Sequence, residues 1–142
     1  MMQEPFGVYM LLVRLRRAAR IASARRMWQL RAGWYVYVGS AQRGLHARIA
    51  RHLRPHKRLH WHIDYLLQHG KIAAVKIMPG VPRAMEAKVA QALSSLPAGT
   101  PVPGFGASDS PASSHLVYFR RRVDAVRQAL WQQAQPYKHT AM

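Results

Sequence analysis

Arg48 and His52 are the residues whose types and spacing best suit chemistry, and that chemistry is the handling of phosphate. Arg48 and His52 lie four apart, so a helix through them stacks both on one stripe. That stripe runs about a quarter turn from the one formed by Leu45, Ile49 and Leu53, which places a guanidinium and an imidazole together at the rim of a buried surface. Guanidinium matches phosphate oxygens bidentately, and histidine gives or takes a proton near neutral pH. In a strand, Tyr35 and Tyr37 share one face while Val36 and Val38 fill the other. By residue type alone, the same features fit a solvated basic helix face and ordinary tyrosine packing. A tyrosine base must also act despite an unperturbed pKa of ~10.

Carboxylates are scarce: Glu4, Asp64, Glu86, Asp109 and Asp124 are all there are. One carboxylate with waters and substrate phosphate can hold Mg2+, so scarcity limits a site to one ion without forbidding it. Glu86 begins a helix beside its core stripe and can face inward; an acid in a first turn also complements the helix macrodipole. His60, His62 and Asp64 raise a zinc reading, but in a helix only His60 and Asp64 share a face and no fourth ligand is evident.

Lys and Arg number 22 against five acids, a formal charge of +17 over 142 residues. So large an imbalance calls for a polyanionic partner, and binding should weaken steeply with salt. The basic residues cluster at Arg14 to Arg31 and Arg43 to Arg58, with a triplet at Arg120 to Arg122. From these clusters Arg14, Arg16, Arg43, Arg51, Arg54, Lys57, Arg58 and His60 are the candidate nucleic-acid contacts. An anionic membrane is the competing polyanion, since Val13 to Arg31 can be drawn as a basic amphipathic helix. The chain has no cysteine, hence no disulfide framework and no thiolate metal site. Its first apolar run, Phe6 to Val13, falls far short of the roughly 20 residues of a membrane span and has the wrong polarity for a signal peptide, so a cytoplasmic protein is expected.

The elements that must position these residues follow from periodicity. Gly7 to Leu15 reads as a buried strand, and Met27 to Leu30 and Trp34 to Val38 read as a hairpin around Arg31-Ala32-Gly33. Between them, Arg16 to Arg26 favours helix by composition and an extended arm by position. Leu45, Ile49 and Leu53 give an amphipathic helix that Pro55 ends; Trp61 to His69 gives a short helix ended by Gly70. Ile72 to Met78 reads as a strand, and Met85, Val89, Leu93 and Leu96 as the stripe of a longer helix after Pro82. Pro97 to Ser114 reads as loop, Leu116 to Phe119 as an edge strand, and Val123, Val126, Leu130 and Ala134 as one closing helix. One domain over residues 1–142 is expected, with 135–142 frayed. Its fold class is α/β, a small, mainly antiparallel or mixed sheet of three to four strands flanked by helices.

Gly7-Val8-Tyr9, Tyr37-Val38-Gly39-Ser40-Ala41 and Arg48-Ile49-Ala50-Arg51-His52-Leu53, in that order, resemble the first motif blocks of the GIY-YIG nuclease superfamily. The runs His60-Trp61-His62-Ile63-Asp64-Tyr65 and Pro103-Gly104-Phe105-Gly106-Ala107-Ser108-Asp109 are similar to a small single-domain branch of it, DUF123-like, and extend the resemblance from Gly7 to about Phe119. Many members of that branch carry Cys-x-Cys where this chain has Ser110-Pro111-Ala112, so no thiolate metal or redox role is expected at that loop.

The resemblance implies that Tyr9 and Tyr37 border the scissile phosphate, that Arg48 holds a non-bridging oxygen, and that Glu86 binds one divalent ion, Mg2+ or Mn2+. It implies an auxiliary base or donor role for His52, leaves open which group is the general base, and implies a close backbone turn at Gly39. The expected function is that of a metal-dependent DNA endonuclease with a preference for single-stranded or branched DNA, acting as a monomer or weak dimer. A nucleic-acid-binding module without turnover, working beside a DNA-repair partner, is the alternative.

Overall fold

The computed structural model describes residues 5–107 and 110–138. Glu4, Ser108, Asp109 and the last four residues of the expected frayed tail lie outside the described residues.

Strand β1 (Gly7–Leu15) forms as expected, and all but one of its residues are buried. It runs through the middle of the molecule with apolar layers on both faces. Tyr9, Leu11, Val13 and Leu15 enter one layer; Val8, Met10 and Leu12 enter the other. A strand covered on both sides needs this unbroken apolar run. The chain then leaves the sheet for a two-stranded ribbon, β2 (Ala19–Ala22) and β3 (Met27–Leu30), and returns as β4 (Gly33–Ala41), antiparallel to β1.

Here the expected hairpin is corrected. The partner of β3 is β2, so Arg31-Ala32-Gly33 links two sheets instead of closing one turn. Gly33 has φ 149°, and a Cβ there would come within 2.5 Å of the Tyr118 ring, so the bend requires glycine. The Arg16 to Arg26 segment is the extended alternative, anchored by Ile21 and Trp28 in the first layer.

Helix α1 (Leu45–Leu53) and short helix α2 (His62–Leu66) follow, then β5 (Lys71–Pro79), which pairs with the other side of β1. Helix α3 (Ala84–Ser94) buries Val89 and Leu93 in the second layer, while Met85, expected in that stripe, is exposed. The stretch expected to be loop contains β6 (Gly99–Pro101), which pairs with β7 (Leu116–Phe119). Because β7 also pairs with β4, it is internal and not the expected edge.

The expected closing helix is two pieces, α4 (Arg122–Arg127) and α5 (Ala129–Gln133). Gln128 adopts an extended conformation, and its side chain accepts the Trp131 N–H. Finally β8 (Gln135–Pro136) pairs with β5, and Tyr137 N–H donates to Val75 O, so the tail is tied down through Tyr137 and not frayed from 135.

The fold is therefore α/β, as expected, with a larger sheet: six strands in the order β6-β7-β4-β1-β5-β8, every pairing antiparallel. Helices α1 and α2 and the ribbon cover one face; α3, α4 and α5 cover the other. Among the described residues, no helix is long and apolar enough to cross a membrane.

Candidate active site

The end of β4 decides where the site lies. Tyr9 pairs with Gly39 across β1 and β4, so Tyr37 is its diagonal neighbour on the same face. A Cβ on Gly39 would sit 2.5 Å from both Cζ and Oη of Tyr9. Gly39 thus leaves room for the tyrosine ring inside the strand; it does not make the strand-to-helix turn the sequence suggested. Gly44, with φ 64°, takes that position before α1.

Above this end opens a cavity of about 700 Å³. Four of the five candidate catalytic residues line it: Tyr9 and Tyr37 from the sheet, Arg48 from α1 and Glu86 from α3. The fifth, His52, is corrected from the rim to the interior. It is 2 % exposed, and its Nε2 lies 2.6 Å from Tyr9 Oη. The reason is geometric: Tyr9 and Tyr37 are large enough to extend the buried surface over the His52 position, and both rings contact the imidazole.

Burial governs the titration of this cluster. It pushes the Tyr9 and Tyr37 phenols well above 10; Arg48 opposes the shift at Tyr9 by charge and hydrogen bonding without cancelling it. Burial likewise lowers His52 to about 4, against the pull of Asp64. Both phenols and the imidazole are neutral at pH 7. His52 Nδ1 is buried without a hydrogen-bond partner, so it is cheapest as an unprotonated acceptor, with Nε2–H directed at Tyr9 Oη and the tyrosine proton free to point into the cavity.

Arg48 is half-buried and fixed. One guanidinium nitrogen donates to Ser40 O at 3.0 Å, and the group lies 4.4 Å from the centroid of the Trp61 ring. Trp61 is half-buried against the core and also lines the cavity, so its packing role and its availability to a ligand coexist. From α3, Glu86 reaches the same Ser40; burial pushes its carboxyl up, but hydrogen bonds from His115 and Ser40 and the charge of Arg83 hold it below the usual range.

Of the candidate nucleic-acid contacts, Arg43 and His60 line the cavity. Arg51 does not: its fork donates to both oxygens of Asp64, at 2.9 and 3.0 Å, and to Arg58 O. It locks α1 to α2. Asp64, whose side chain is fully buried, also accepts the N–H groups of His60 and Trp61; these contacts outweigh desolvation and lower its pKa. Arg58 joins Arg51 along a smaller adjoining cleft, and Arg54 and Lys57 follow the end of α1. Arg14 lies at the far end of β1 over Trp34, and Arg16 is exposed just beyond; neither lines the cavity.

The zinc reading, already disfavoured by spacing, gains no support. Both oxygens of Asp64 are engaged, His62 Nδ1 accepts the Gly106 N–H at 2.8 Å, and no group of three possible ligands forms among the described residues.

Sequence reasoning missed Ser40, Arg83, Ser110 and His115. Ser40 stood inside a quoted motif, and His115 is a solitary histidine beside an apolar strand, a pattern that signals a satisfied buried imidazole. Ser110 stood in the run that replaces Cys-x-Cys, and Arg83 carried no local signal.

Searches of curated proteins and of solved structures each return no significant match. The model of the family described as "Domain of unknown function DUF123" matches residues 8–135, and this chain belongs to that family.

Proposed function

We propose that this protein is a divalent-metal-dependent endonuclease that hydrolyses phosphodiester bonds in DNA, as its resemblance to GIY-YIG nucleases implies. One observation carries the reading: two phenols, a fixed guanidinium and a single ionised carboxylate, from four separate stretches, line one cavity on a strongly basic chain. Arg48 meets a non-bridging phosphate oxygen. Its anchors on Ser40 and Trp61 hold it oriented before substrate arrives, so little reorganisation is needed as charge develops. Tyr9 stands between the cavity and His52, so Oη can accept a proton from attacking water as its own proton moves to His52 Nε2 once the imidazole has taken its other tautomer, with the ring proton on Nδ1. Burial makes the resulting imidazolium a transient carrier that returns the proton readily.

The residues fit a single hard cation. Glu86 is ionised, borders the cavity, and each oxygen has a lone-pair direction beyond its one protein hydrogen bond. Mg2+ or Mn2+ held there would supply neutralisation of charge at phosphorus and at the leaving oxygen.

The test is incubation with single-stranded, duplex and branched DNA, and with RNA, in Mg2+ or Mn2+ and in chelator. Expected are cutting that chelator stops and losses of at least ~100-fold for Arg48→Ala and Glu86→Ala. Undiminished cutting by both variants refutes the assignment. The engagement of both Glu86 oxygens favours a second reading, a binding module without turnover; it predicts salt-sensitive binding and no cutting of any substrate.

A further inference from the structure

Glu86 is held by two other parts of the fold, and one of the holding groups is itself held. Ser40 Oγ–H, from β4, donates to Glu86 Oε1. His115, 1 % exposed and just before β7, places Nδ1 2.9 Å from Glu86 Oε2 and 3.2 Å from Val38 O. A backbone carbonyl can only accept, and an ionised carboxylate can only accept, so Nδ1 carries the proton. On the far side of the ring, Nε2 lies 2.6 Å from Ser110 Oγ, which also accepts the Ala112 N–H at 3.1 Å. The backbone pins the ring as well, since His115 N–H donates to Phe105 O and His115 O accepts from Val38 N–H.

Serine, histidine and carboxylate in this order resemble a nucleophilic triad, but the surroundings argue otherwise. Acyl or phosphoryl transfer to Ser110 needs N–H donors aimed at the developing oxyanion. The Ser110 N–H donates to Ala107 O, and the Gly106 N–H donates to His62 Nδ1. The order serves orientation instead.

We infer that His115, fixed by Ser110, is a positioning residue that aims the Glu86 carboxylate into the cavity and thereby sets its affinity for a divalent cation. The inference rests on the proposed role of Glu86 as the metal-holding residue. It assigns work to a residue that touches neither phosphate nor ion. Hydrogen bonds to a ligating carboxylate fix its orientation, and removing one such outer partner typically costs 10- to 100-fold in metal affinity.

Two amides separate the two ring nitrogens. Asparagine at 115 presents an N–H near the Nδ1 position, whereas the glutamine amide sits near Nε2 and cannot make the Glu86 bond. Mn2+ binding is measured without DNA, by the loss of the free-ion electron paramagnetic resonance signal, for wild type, His115→Asn, His115→Gln and Glu86→Gln. DNA binding in chelator checks that the surface is intact. The expected result is Mn2+ affinity within ~3-fold of wild type for His115→Asn and weakened at least ~10-fold for His115→Gln, with DNA affinity in chelator unchanged in both. Equal Mn2+ affinity in the Asn, Gln and wild-type proteins, with binding lost in Glu86→Gln, overturns the inference and leaves the role of Glu86 standing. Wild-type affinity in Glu86→Gln overturns both.

Discussion

Acid should destabilise this protein through one buried imidazole. His52 faces Tyr9 from β1, Arg48 and Arg51 from its own helix, Asp64 from α2, and Lys57 in the following loop. Burial dominates and lowers it to about 4, against ~6.5 in the unfolded chain. Between those values the unfolded chain binds the proton and the folded protein does not. The stability present above pH 6.5 is therefore lost as pH falls toward 4, and no further loss follows below that. At about 1.36 kcal/mol per unit, the loss attributable to His52 between pH 7 and pH 4 is about 3 kcal/mol, a large fraction of a domain's total. The perturbation that isolates it is His52→Gln, which keeps a polar group near Tyr9 and removes the titration. Urea unfolding at both pH values gives two differences, and the wild type should lose about 3 kcal/mol more than the variant. Acid effects of Asp64 and Glu86 occur in both proteins and cancel. Parallel losses, within ~0.5 kcal/mol, would show that His52 takes up its proton as readily in the folded protein as in the unfolded chain and would refute the argument from burial.

Gly39→Ala forces a methyl against the Tyr9 ring, so we expect about 1–3 kcal/mol lower stability in urea together with loss of DNA cutting; unchanged stability contradicts the close approach. Asp64→Asn leaves the Arg51 fork half-paired and should cost about 2 kcal/mol at pH 7, measured by the same unfolding curves, with that difference narrowing progressively as pH falls below ~3.9, where the unfolded chain's carboxyl takes up its proton before the folded one does. For DNA binding without metal, replacing Arg43 and Arg83 together by Ala should flatten the slope of log K against log salt by about 2, while Arg14→Ala, at the far end of β1, leaves it unchanged. Equal slopes for all three proteins would place the binding surface elsewhere.

The parts of the fold legible in sequence are those whose apolar pattern is set by burial alone. Strand β1 is an unbroken apolar run covered on both faces, while helix α1 and the Val89 and Leu93 face of α3 each carry one stripe toward one layer. Partner choice was not legible. Met27 to Leu30 alternates as a strand should, yet nothing local says whether it pairs forward with β4 or back with Ala19 to Ala22, because Arg31-Ala32-Gly33 suits a turn and a link equally. Strands β6 and β8 are three and two residues long and are strands only because a neighbour pairs with them. The break at Gln128 was invisible for a different reason: no Pro or Gly interrupts the helical pattern, and the extended residue is stabilised by its own side chain capping α5.

The candidate site divides along the same line. Helical spacing put Arg48 and His52 on one stripe, but their different fates depend on what covers that stripe. Trp61 and a carbonyl hold Arg48 at the cavity, while Tyr9 and Tyr37 roof His52. Glu86 shows the consequence most clearly. Its helix position allowed a macrodipole role, which any first-turn acid fills by facing solvent. Its hydrogen bonds to Ser40 and His115 instead turn it toward a basic cavity and keep it ionised at the cost of desolvation. An acid serving the helix alone has no use for a buried histidine aimed at it from the bend before β7, and that second group separates the two roles more sharply than any spacing within α3.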